Sequence, residues 1–219
     1  MSARKLISLA TVLIIGMVTS CKKEGATDNT PTLTFVNSVQ EATPQDVFVN
    51  NIKANISALA YLSAASIAKP SGNIEVSFKN AGSATVSASG NVPTDNIASK
   101  TVFLVKEPDE SLIVITYNND RPATDGRARI RFIHVAPRLA ASLRVSTTSG
   151  TSLYAGLAFK EGTSYLSIEA GTSLNVVMGN AALEVTTIPG TEFEPGKFYT
   201  VWFSSTTIDK ANYRVIKEN

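Results

Sequence analysis

Residues 127–145 read RARIRFIHVAPRLAASLRV, and this stretch contains the pattern that decides the fold. Its first half alternates apolar and polar side chains, which is the period of a half-buried β-strand. The segment LTFVNS, residues 33–38, carries the same pattern, so that Phe35 corresponds to Phe132 at an offset of 97 residues. The same strand is therefore predicted twice, once in each half of the chain.

Further segments match between the two halves in the same order. The matched segments are DVFVN (46–50) with SLRVS (142–146), ALAY (58–61) with GLAF (156–159), and SGNIEVSF (71–78) with AGTSLNVVM (170–178). A period of about 97 residues is that of a whole domain, whereas solenoid repeats span about 20–50 residues. We interpret the chain as a tandem duplication of one domain.

The remaining sequence of both halves consists of short alternating or β-branched runs separated by Gly, Asn, Asp, Ser and Pro, which is typical of β-strands. The spacing predicts an all-β chain of two tandem immunoglobulin-like antiparallel β-sandwich domains, at 33–117 and 127–219, joined by the linker 118–126. A single larger sandwich or barrel is the alternative. A helix competes with strand and loop in two segments, 39–45 and 55–68.

The amino terminus has the pattern of an export signal. Two basic residues precede an apolar run at 6–18, which as a helix reaches only about 20 Å and falls short of the roughly 30 Å core of a bilayer. The residues VTSC, 18–21, resemble the bacterial lipobox. This resemblance implies a lipoprotein signal peptide at 1–20 and attachment of diacylglycerol to the Cys21 thiol. An ordinary secretory signal followed by a chance cysteine is the alternative.

Lipidation at Cys21 predicts where the protein resides. Two or three acyl chains hold a protein on a bilayer almost indefinitely. The lipidated cysteine begins a polar, flexible tether that covers residues 21–32. Lys22 stands where an aspartate is associated with inner-membrane retention in enteric bacteria. We therefore expect a cell-envelope protein that is lipid-anchored in the outer membrane.

Removal of the signal peptide leaves a mature chain without net side-chain charge. The full sequence has 20 Lys and Arg against 18 Asp and Glu, and Arg4 and Lys5 lie in the signal peptide. A chain without a basic excess lacks the charge that neutralises phosphates, so we expect no nucleic-acid partner. The expected partners are the membrane, through the anchor, and an envelope protein or a glycan.

The second half resembles a family of bacterial exported domains. The segments that carry the resemblance are RARIRFIHVAPRLAASLRV (127–145), YAGLAF (154–159), YLSIEAGTSLNVVM (165–178) and KFYTVWF (197–203). They resemble the domain of unknown function 4397, in which a His-Ala-Ser-Pro motif ends a strand; His134 and Pro137 stand at the matching places. Asn37 replaces the histidine in the first half, which is a divergent copy. The resemblance implies an exported β-sandwich and no established activity.

His134 is the only histidine and lies at a strand end. As a general base or metal ligand it needs further His, Cys or carboxylate groups, and no spacing in the sequence supplies a zinc site or a catalytic triad. We interpret it as a structural residue that hydrogen-bonds a loop carbonyl, a role that Asn37 can fill at the equivalent position. A hydrolase that uses His134 is the minor alternative; we expect no enzyme activity, cofactor or metal.

Trp202 is the only tryptophan and lies in FYTVWFS, residues 198–204. By the period of two, Phe198, Thr200 and Trp202 share one face of this strand, and Tyr199, Val201 and Phe203 share the other. One face is core, and the other is either covered by the neighbouring domain or exposed as a ligand platform. Trp202 and His134 are the candidate platform residues.

These observations predict a noncatalytic binding or scaffolding module of the cell envelope. The alternative is a carbohydrate-binding accessory lipoprotein of a surface glycan system, which rests on exposure of the strand that contains Trp202.

Overall fold

The computed structural model describes residues 31–70, 72–93, 99–139, 141–179 and 185–218. Cys21 and the predicted signal peptide lie outside the described residues, as does almost all of the tether. No helix in the described ranges is long and apolar enough to cross a membrane. The described residues form sixteen β-strands and one short 3-10 turn, Gly190–Glu192. The all-β prediction is therefore confirmed.

Each half of the chain contributes eight strands. The strands of the first half are β1 Thr32–Asn37, β2 Gln45–Val49, β3 Ile52–Lys53, β4 Ala64–Ala68, β5 Ile74–Asn80, β6 Val86–Val92, β7 Lys100–Lys106 and β8 Leu112–Asn118. The strands of the second half are β9 Ala128–His134, β10 Leu143–Thr147, β11 Ser152–Leu157, β12 Leu166–Ile168, β13 Leu174–Met178, β14 Thr186–Ile188, β15 Phe198–Ser204 and β16 Asn212–Glu218.

The two halves have the same topology. The first half forms sheets of order β4-β1-β7-β8 and β3-β2-β5-β6, and the second forms β12-β9-β15-β16 and β11-β10-β13-β14. Every strand of the second half thus occupies the place of the strand eight positions earlier. We call β4-β1-β7-β8 and β12-β9-β15-β16 the inner sheets and the other two the outer sheets. The domain boundaries given above stay predictions.

The strands are not all antiparallel. β1 runs parallel to β7, and β9 runs parallel to β15. The chain passes through the outer sheet between the two members of each pair, and this long connection allows the second member to enter the sheet in the same direction as the first. The predicted sandwiches are confirmed, with antiparallel pairing at all described strand pairs except these two. Alternation along a strand does not report the direction of its neighbour, so the sequence did not reveal the two parallel pairs.

Alternation along the strands builds a core within each sandwich. In the first, Leu33 and Phe35 of β1 pack with Val47, Phe78 and Leu104. In the second, Ile130 and Phe132 of β9 pack with Val145, Val176 and Phe203. Each fully buried apolar side chain contributes roughly 1.5–3 kcal/mol to the free energy of unfolding.

A third apolar cluster lies between the sandwiches. Its buried members are Val36, Phe103, Val105, Ile133, Val135 and Trp202, all from the inner sheets or the residue that follows β9. β7 and β15 are consequently buried on both faces, which explains why KTVFLVK and FYTVWFS are nearly continuous apolar runs. The inner sheets pack on each other, and the chain is a stack of four β-layers.

The contact between the sandwiches joins equivalent positions. Phe103 pairs in register with Val36, and Trp202 pairs in the same way with Ile133. The rings of Phe103 and Trp202 meet edge to face, with centroids 5.5 Å apart. Contact between equivalent residues is what a two-fold axis produces, so the duplicated domains meet as the subunits of an isologous dimer do.

The two segments in which a helix competed contain no helix. Residues 39–44 form a turn-rich connection, and β4 follows a loop over 54–63. Asn55 organises that loop, since its Oδ1 accepts from the Val47 N–H at 2.7 Å and its Nδ2 donates to the Gln45 carbonyl at 3.0 Å. A buried asparagine that bonds neighbouring backbone competes with a helix for those backbone groups.

Candidate functional site

His134 ends β9 and is 1% exposed. Its Nδ1 accepts a hydrogen bond from the Ala136 N–H at 3.2 Å, so the proton of the neutral ring lies on Nε2. Burial lowers the pKa of His134 to about 4, although the Glu161 carboxylate acts in the opposite direction. The imidazole is therefore neutral at physiological pH, and its basic nitrogen is occupied by a backbone amide.

Asn37 occupies the equivalent place in the first half and makes the equivalent bond. Its Oδ1 accepts from the Val39 N–H at 3.1 Å, two residues on, as His134 accepts from Ala136. Its Nδ2 also donates to the Leu59 carbonyl at 3.0 Å. Both side chains cap the end of the first strand of a sandwich. The ring of His134 thus accepts from a backbone amide, where the sequence predicted a bond to a loop carbonyl; the carbonyl bond occurs at Asn37.

Trp202 is 1% exposed and lies in the apolar cluster between the sandwiches. The sequence correctly separated the two faces of β15, since Tyr199, Val201 and Phe203 belong to the core of the second sandwich. The opposite face is covered by the neighbouring sandwich, and no ring face is open to a ligand. The ligand platform at Trp202 and His134 is therefore wrong. Docking of the two inner sheets buries Trp202, and His134 is buried on the opposite face of β9, the face that carries Phe132 into the core of the second sandwich.

Arg131 in β9 organises a polar network at one end of the interface and is 3% exposed. Its Nε donates to Thr200 Oγ1 at 2.7 Å, and its Nη2 donates to Thr101 Oγ1 at 3.1 Å and to Asn119 Oδ1 at 2.5 Å. Its Nη1 donates to the Asn118 carbonyl. A guanidinium from one sandwich thus bonds three residues of the other.

Glu218, at the end of β16, balances the charge of Arg131. One carboxylate oxygen lies 3.7 Å from the guanidinium and accepts from the Thr200 hydroxyl. The other accepts from the Tyr165 hydroxyl at 2.6 Å and from Arg121 Nε at 3.3 Å. The side chains of Glu218 and Arg131 are each 4% exposed. A buried pair of this kind persists only when further hydrogen bonds satisfy both ions, as they do here.

Arg131 was assigned no role from the sequence. The available signal was its position: it is a charged residue between Ile130 and Phe132, in a strand whose two faces are both buried. An arginine in such a strand has to find partners within the protein. Its partners lie 12 to 87 residues away in sequence, at Asn119 and Glu218 among others, so pattern reading does not locate them.

A cleft of about 300 Å³ opens above this network, between the segment that follows β8 and the segment that precedes β12. Arg131 and the ring of Tyr165 contribute to its lining, and the guanidinium carbon lies 5.3 Å from the ring centre. Its rim contains the exposed residues Asn118, Asp120 and Ser164. The lining supplies hydroxyl, amide and carboxylate groups, with the basic charge of Arg131 already balanced by Glu218.

The described ranges contain no group of three or more His, Cys, Asp and Glu side chains placed to hold a metal ion. The cleft carries one carboxylate at its rim, that of Asp120. What the arrangement offers is hydrogen bonding to a polar molecule at the junction of two sandwiches. We take this cleft as the candidate functional site.

Comparison with known families identifies the chain at the level of the domain. Residues 31–145 match the family model described as Domain of unknown function (DUF4397). The chain belongs to the DUF4397 family. The match covers all of the first sandwich and reaches β10 of the second, so it lies mostly in the half that sequence analysis treated as the divergent copy.

No curated protein matches this DUF4397 chain. Among solved structures, a family 26 carbohydrate-binding module of Eubacterium rectale Amy13K, in complex with maltoheptaose, is 9% identical with a TM-score of 0.29 and covers 86% of this chain and 97% of its own. A structure titled for α-glucan binding by a streptococcal virulence factor is 11% identical, with a TM-score of 0.29 and coverage of 80% and 93%. A family 41 module from streptococcal virulence factors is 11% identical, with a TM-score of 0.27 and coverage of 80% and 94%.

Proposed function

We propose that this DUF4397 protein is a cell-envelope lipoprotein whose two sandwiches act as a noncatalytic binding or scaffolding module. The observation that carries the proposal is the buried interface, in which the two inner sheets join through an apolar cluster and the network around Arg131. A module that presents surfaces needs a rigid body, and double burial of β7 and β15 supplies one.

The noncatalytic assignment rests on the state of the titratable side chains. The acceptor nitrogen of His134 is bonded to a backbone amide, and burial keeps the ring neutral down to a pKa of about 4. Arg131 and Glu218 each make several hydrogen bonds within the network. General acid–base catalysis needs a group that can exchange a proton with a substrate near the working pH, and these groups are held in other bonds.

The cleft above Arg131 supports a carbohydrate as the bound ligand, which is the second candidate function. Its rim presents Asn118, Asp120 and Ser164, which can donate to and accept from sugar hydroxyls. The cations Arg131 and Arg121 are offset by the carboxylate of Glu218 beside them and by that of Asp120 at the rim, so the cleft suits a neutral ligand better than an anion. The proposal moves the glycan site from Trp202 to this cleft.

Thermal unfolding of residues 22–219 against a panel of envelope and host glycans tests the binding role. A ligand at about 100 times its Kd stabilises the folded chain by roughly 2.7 kcal/mol, which raises the midpoint by about 5 °C or more for a chain of this size. Ser164→Phe should abolish the rise by filling the cleft. Ser89→Phe, at an exposed position of β6 in the first sandwich, is the matched control and should retain the rise. A rise that survives Ser164→Phe would remove the cleft as the site.

The lipid anchor is tested separately. The lipobox resemblance at 18–21 predicts that Cys21→Ala abolishes metabolic labelling by fatty acids and releases the protein from the membrane fraction. Fractionation of the envelope should find the wild-type protein in the outer membrane. Labelling that persists in Cys21→Ala would contradict the anchor and leave the binding role to be judged by the glycan panel.

A further inference from the structure

β4 is an edge strand of the inner sheet of the first sandwich, because its only neighbour in that sheet is β1. The pairing places Ala64 opposite Val36 and Ala68 opposite Thr32. Just outside β4, the Asn37 N–H donates to the Ser63 carbonyl at 3.2 Å and the Lys69 N–H donates to the Pro31 carbonyl at 2.7 Å. Odd-numbered residues of this segment therefore bond β1.

Successive residues of an antiparallel strand direct their backbone N–H and C=O groups to opposite sides. The even-numbered residues of β4 therefore direct these groups away from β1. These residues are Ala64, Ser66 and Ala68, all exposed, and we call them the open edge. No backbone hydrogen bond of the open edge to another segment occurs in the part of the chain that the structure describes. An exposed row of unpaired backbone groups is a template for another strand.

Several other edge strands carry protective features, and the uncharged edge strands β6 and β8 pack against each other where Gly90 meets Val114. The equivalent strand of the second sandwich, β12, has three residues, and the flanking Glu169 pairs with Arg127. β11 has register shifts where it pairs with β10. β16 carries charged side chains, including Arg214 and Lys217. Short length, bulges and charge are the devices that prevent strands from pairing between molecules. β4 has five residues, and none of them is charged.

The segment that leads into the open edge is uncharged and partly apolar. No charged residue occurs from Ala54 to Ala68, so two copies of this segment do not repel each other. A groove of about 440 Å³ runs between β4 and the loop before it. Ile56 in that loop is fully exposed, and Ile52 in the neighbouring edge strand β3 is 73% exposed. Covering apolar side chains this exposed is favourable, because it removes their surface from water.

We propose that the open edge is a self-association surface, on which β4 of a second copy of this chain pairs antiparallel about Ser66. The outward residues are symmetric about Ser66, so Ala64 of one copy pairs with Ala68 of the other. The unpaired N–H and C=O groups of each copy then bond those of its partner. Small side chains let the two edges approach. A second copy also brings its own Ile52 and Ile56 to the same side, which a strand from an unrelated protein does not. Such an isologous contact closes as a dimer.

Sedimentation equilibrium of residues 22–219, which contain every described residue, tests the proposal. The weight-average mass should rise toward twice the chain mass as the concentration increases. Ala64→Lys with Ala68→Lys places lysines opposite each other across the edge and should hold the mass at that of one chain over the same range. Ser167→Lys in β12 is the matched control and should associate as the wild type does.

A charge-swap experiment identifies the register. Chains with Ala64→Glu and Ala68→Glu should also remain single, whereas an equimolar mixture of the lysine and glutamate variants should recover the doubled mass, because each lysine then faces a glutamate. Ser66→Pro gives an independent check and should hold the mass at that of one chain, since it removes an outward N–H. Ser66→Ala, which loses the same hydroxyl bond to Thr34 and keeps the N–H, is its control and should associate. A wild-type chain that stays single at all concentrations would overturn the proposal, as would doubling in the lysine variant or no recovery in the mixture. The proposal is independent of glycan binding.

Discussion

The two sandwiches have the same strand order and differ where they meet. Thr34 and Arg131 are equivalent, since they pair in register with Thr101 and Thr200 respectively. The arginine crosses the approximate two-fold axis and bonds both threonines, whereas Thr34 bonds Ser66 within its own sheet. Both copies thus keep the architecture of the duplicated fold, and only the second copy supplies the charged group that joins the two sandwiches.

The same contrast appears in the rest of the interface. Asn119 and Glu218 are equivalent, and Arg131 binds the amide of one and lies beside the carboxylate of the other. Phe103 faces Trp202, its larger equivalent. An interface between identical domains would carry each residue twice. Here each contact is made once and between unlike residues, which fixes one arrangement of the two sandwiches. Replacing a residue of one half by its equivalent in the other half measures how much that difference contributes to the free energy of unfolding.

Arg131→Thr should have the largest effect, because it gives the second sandwich the residue of the first. We expect the free energy of unfolding to fall by about 3–5 kcal/mol, since Glu218 keeps only the partly exposed Arg121 as a counter-charge and the buried partners of the guanidinium lose their hydrogen bonds. Urea unfolding followed by circular dichroism measures it. The double variant Arg131→Thr with Glu218→Asn carries the first-half residue at both positions and leaves no unbalanced carboxylate, so it should recover part of the loss. A single-variant loss below about 1 kcal/mol would contradict the role given to the network.

His134→Asn places the capping residue of the first sandwich in the second, and its effect should depend on pH. The pKa of His134 in the folded chain is about 4, and that of an unfolded histidine is about 6.5. Between these values the unfolded chain binds more protons, so the wild type loses stability as the pH falls from 6.5 to 4. His134→Asn removes this loss, which amounts to roughly 2 kcal/mol at pH 5.

The measurement compares the free energies of unfolding of wild type and His134→Asn at pH 8 and pH 5. We expect a small difference at pH 8, because Asn can accept the Ala136 amide as Asn37 accepts that of Val39. At pH 5 the free energy of unfolding of the variant should have risen relative to that of the wild type. Asn37→Gln, which changes the equivalent cap without adding a titrating group, is the control and should show the wild-type pH dependence. Equal differences at both pH values would show that His134 is not buried as described.

Trp202→Phe gives both sandwiches the same residue at the centre of the interface. The smaller ring leaves a cavity, so we expect a loss of about 1–2 kcal/mol in the free energy of unfolding. Phe48→Leu, at a half-buried position on an outer sheet, should cost less. A loss no greater than that of the control would indicate that Trp202 is not packed between the inner sheets.

Asp46→Asn should have the smallest effect. A hydrogen bond from Lys53 and the Gly82 N–H lower the pKa of Asp46 below its usual value. A lowered pKa stabilises the folded chain above the pKa of the unfolded aspartate, and this contribution disappears as the pH falls through the folded-state value. Because Lys53 is partly exposed, we expect about 0.5–1 kcal/mol at pH 7 and a difference that shrinks as the pH falls below about 4, the ordinary pKa of an aspartate. Asp209→Asn, at an exposed position, is the control and should change nothing.

Local features were predictable from the sequence, and contacts between distant segments were not. The duplication, the strands and the two faces of β15 follow from period two, which is a property of a few neighbouring residues. The burial of Trp202 depends on which surface docks against β15, and the partners of Arg131 lie on other strands. The open edge at β4 is visible in sequence only as a run without charge, since pairing order decides which strand lies at an edge.

The central claim is that the buried interface joins the two sandwiches into one body. Trp202, the only tryptophan, reports on that interface, and far-ultraviolet circular dichroism reports on all strands. Equilibrium urea unfolding of residues 22–219 followed by both signals tests the claim most directly. We expect one transition with coincident midpoints, as for a single cooperative unit. Exposure of Trp202 at a lower urea concentration than the loss of β-structure would show that the sandwiches separate before they unfold, and would contradict the claim.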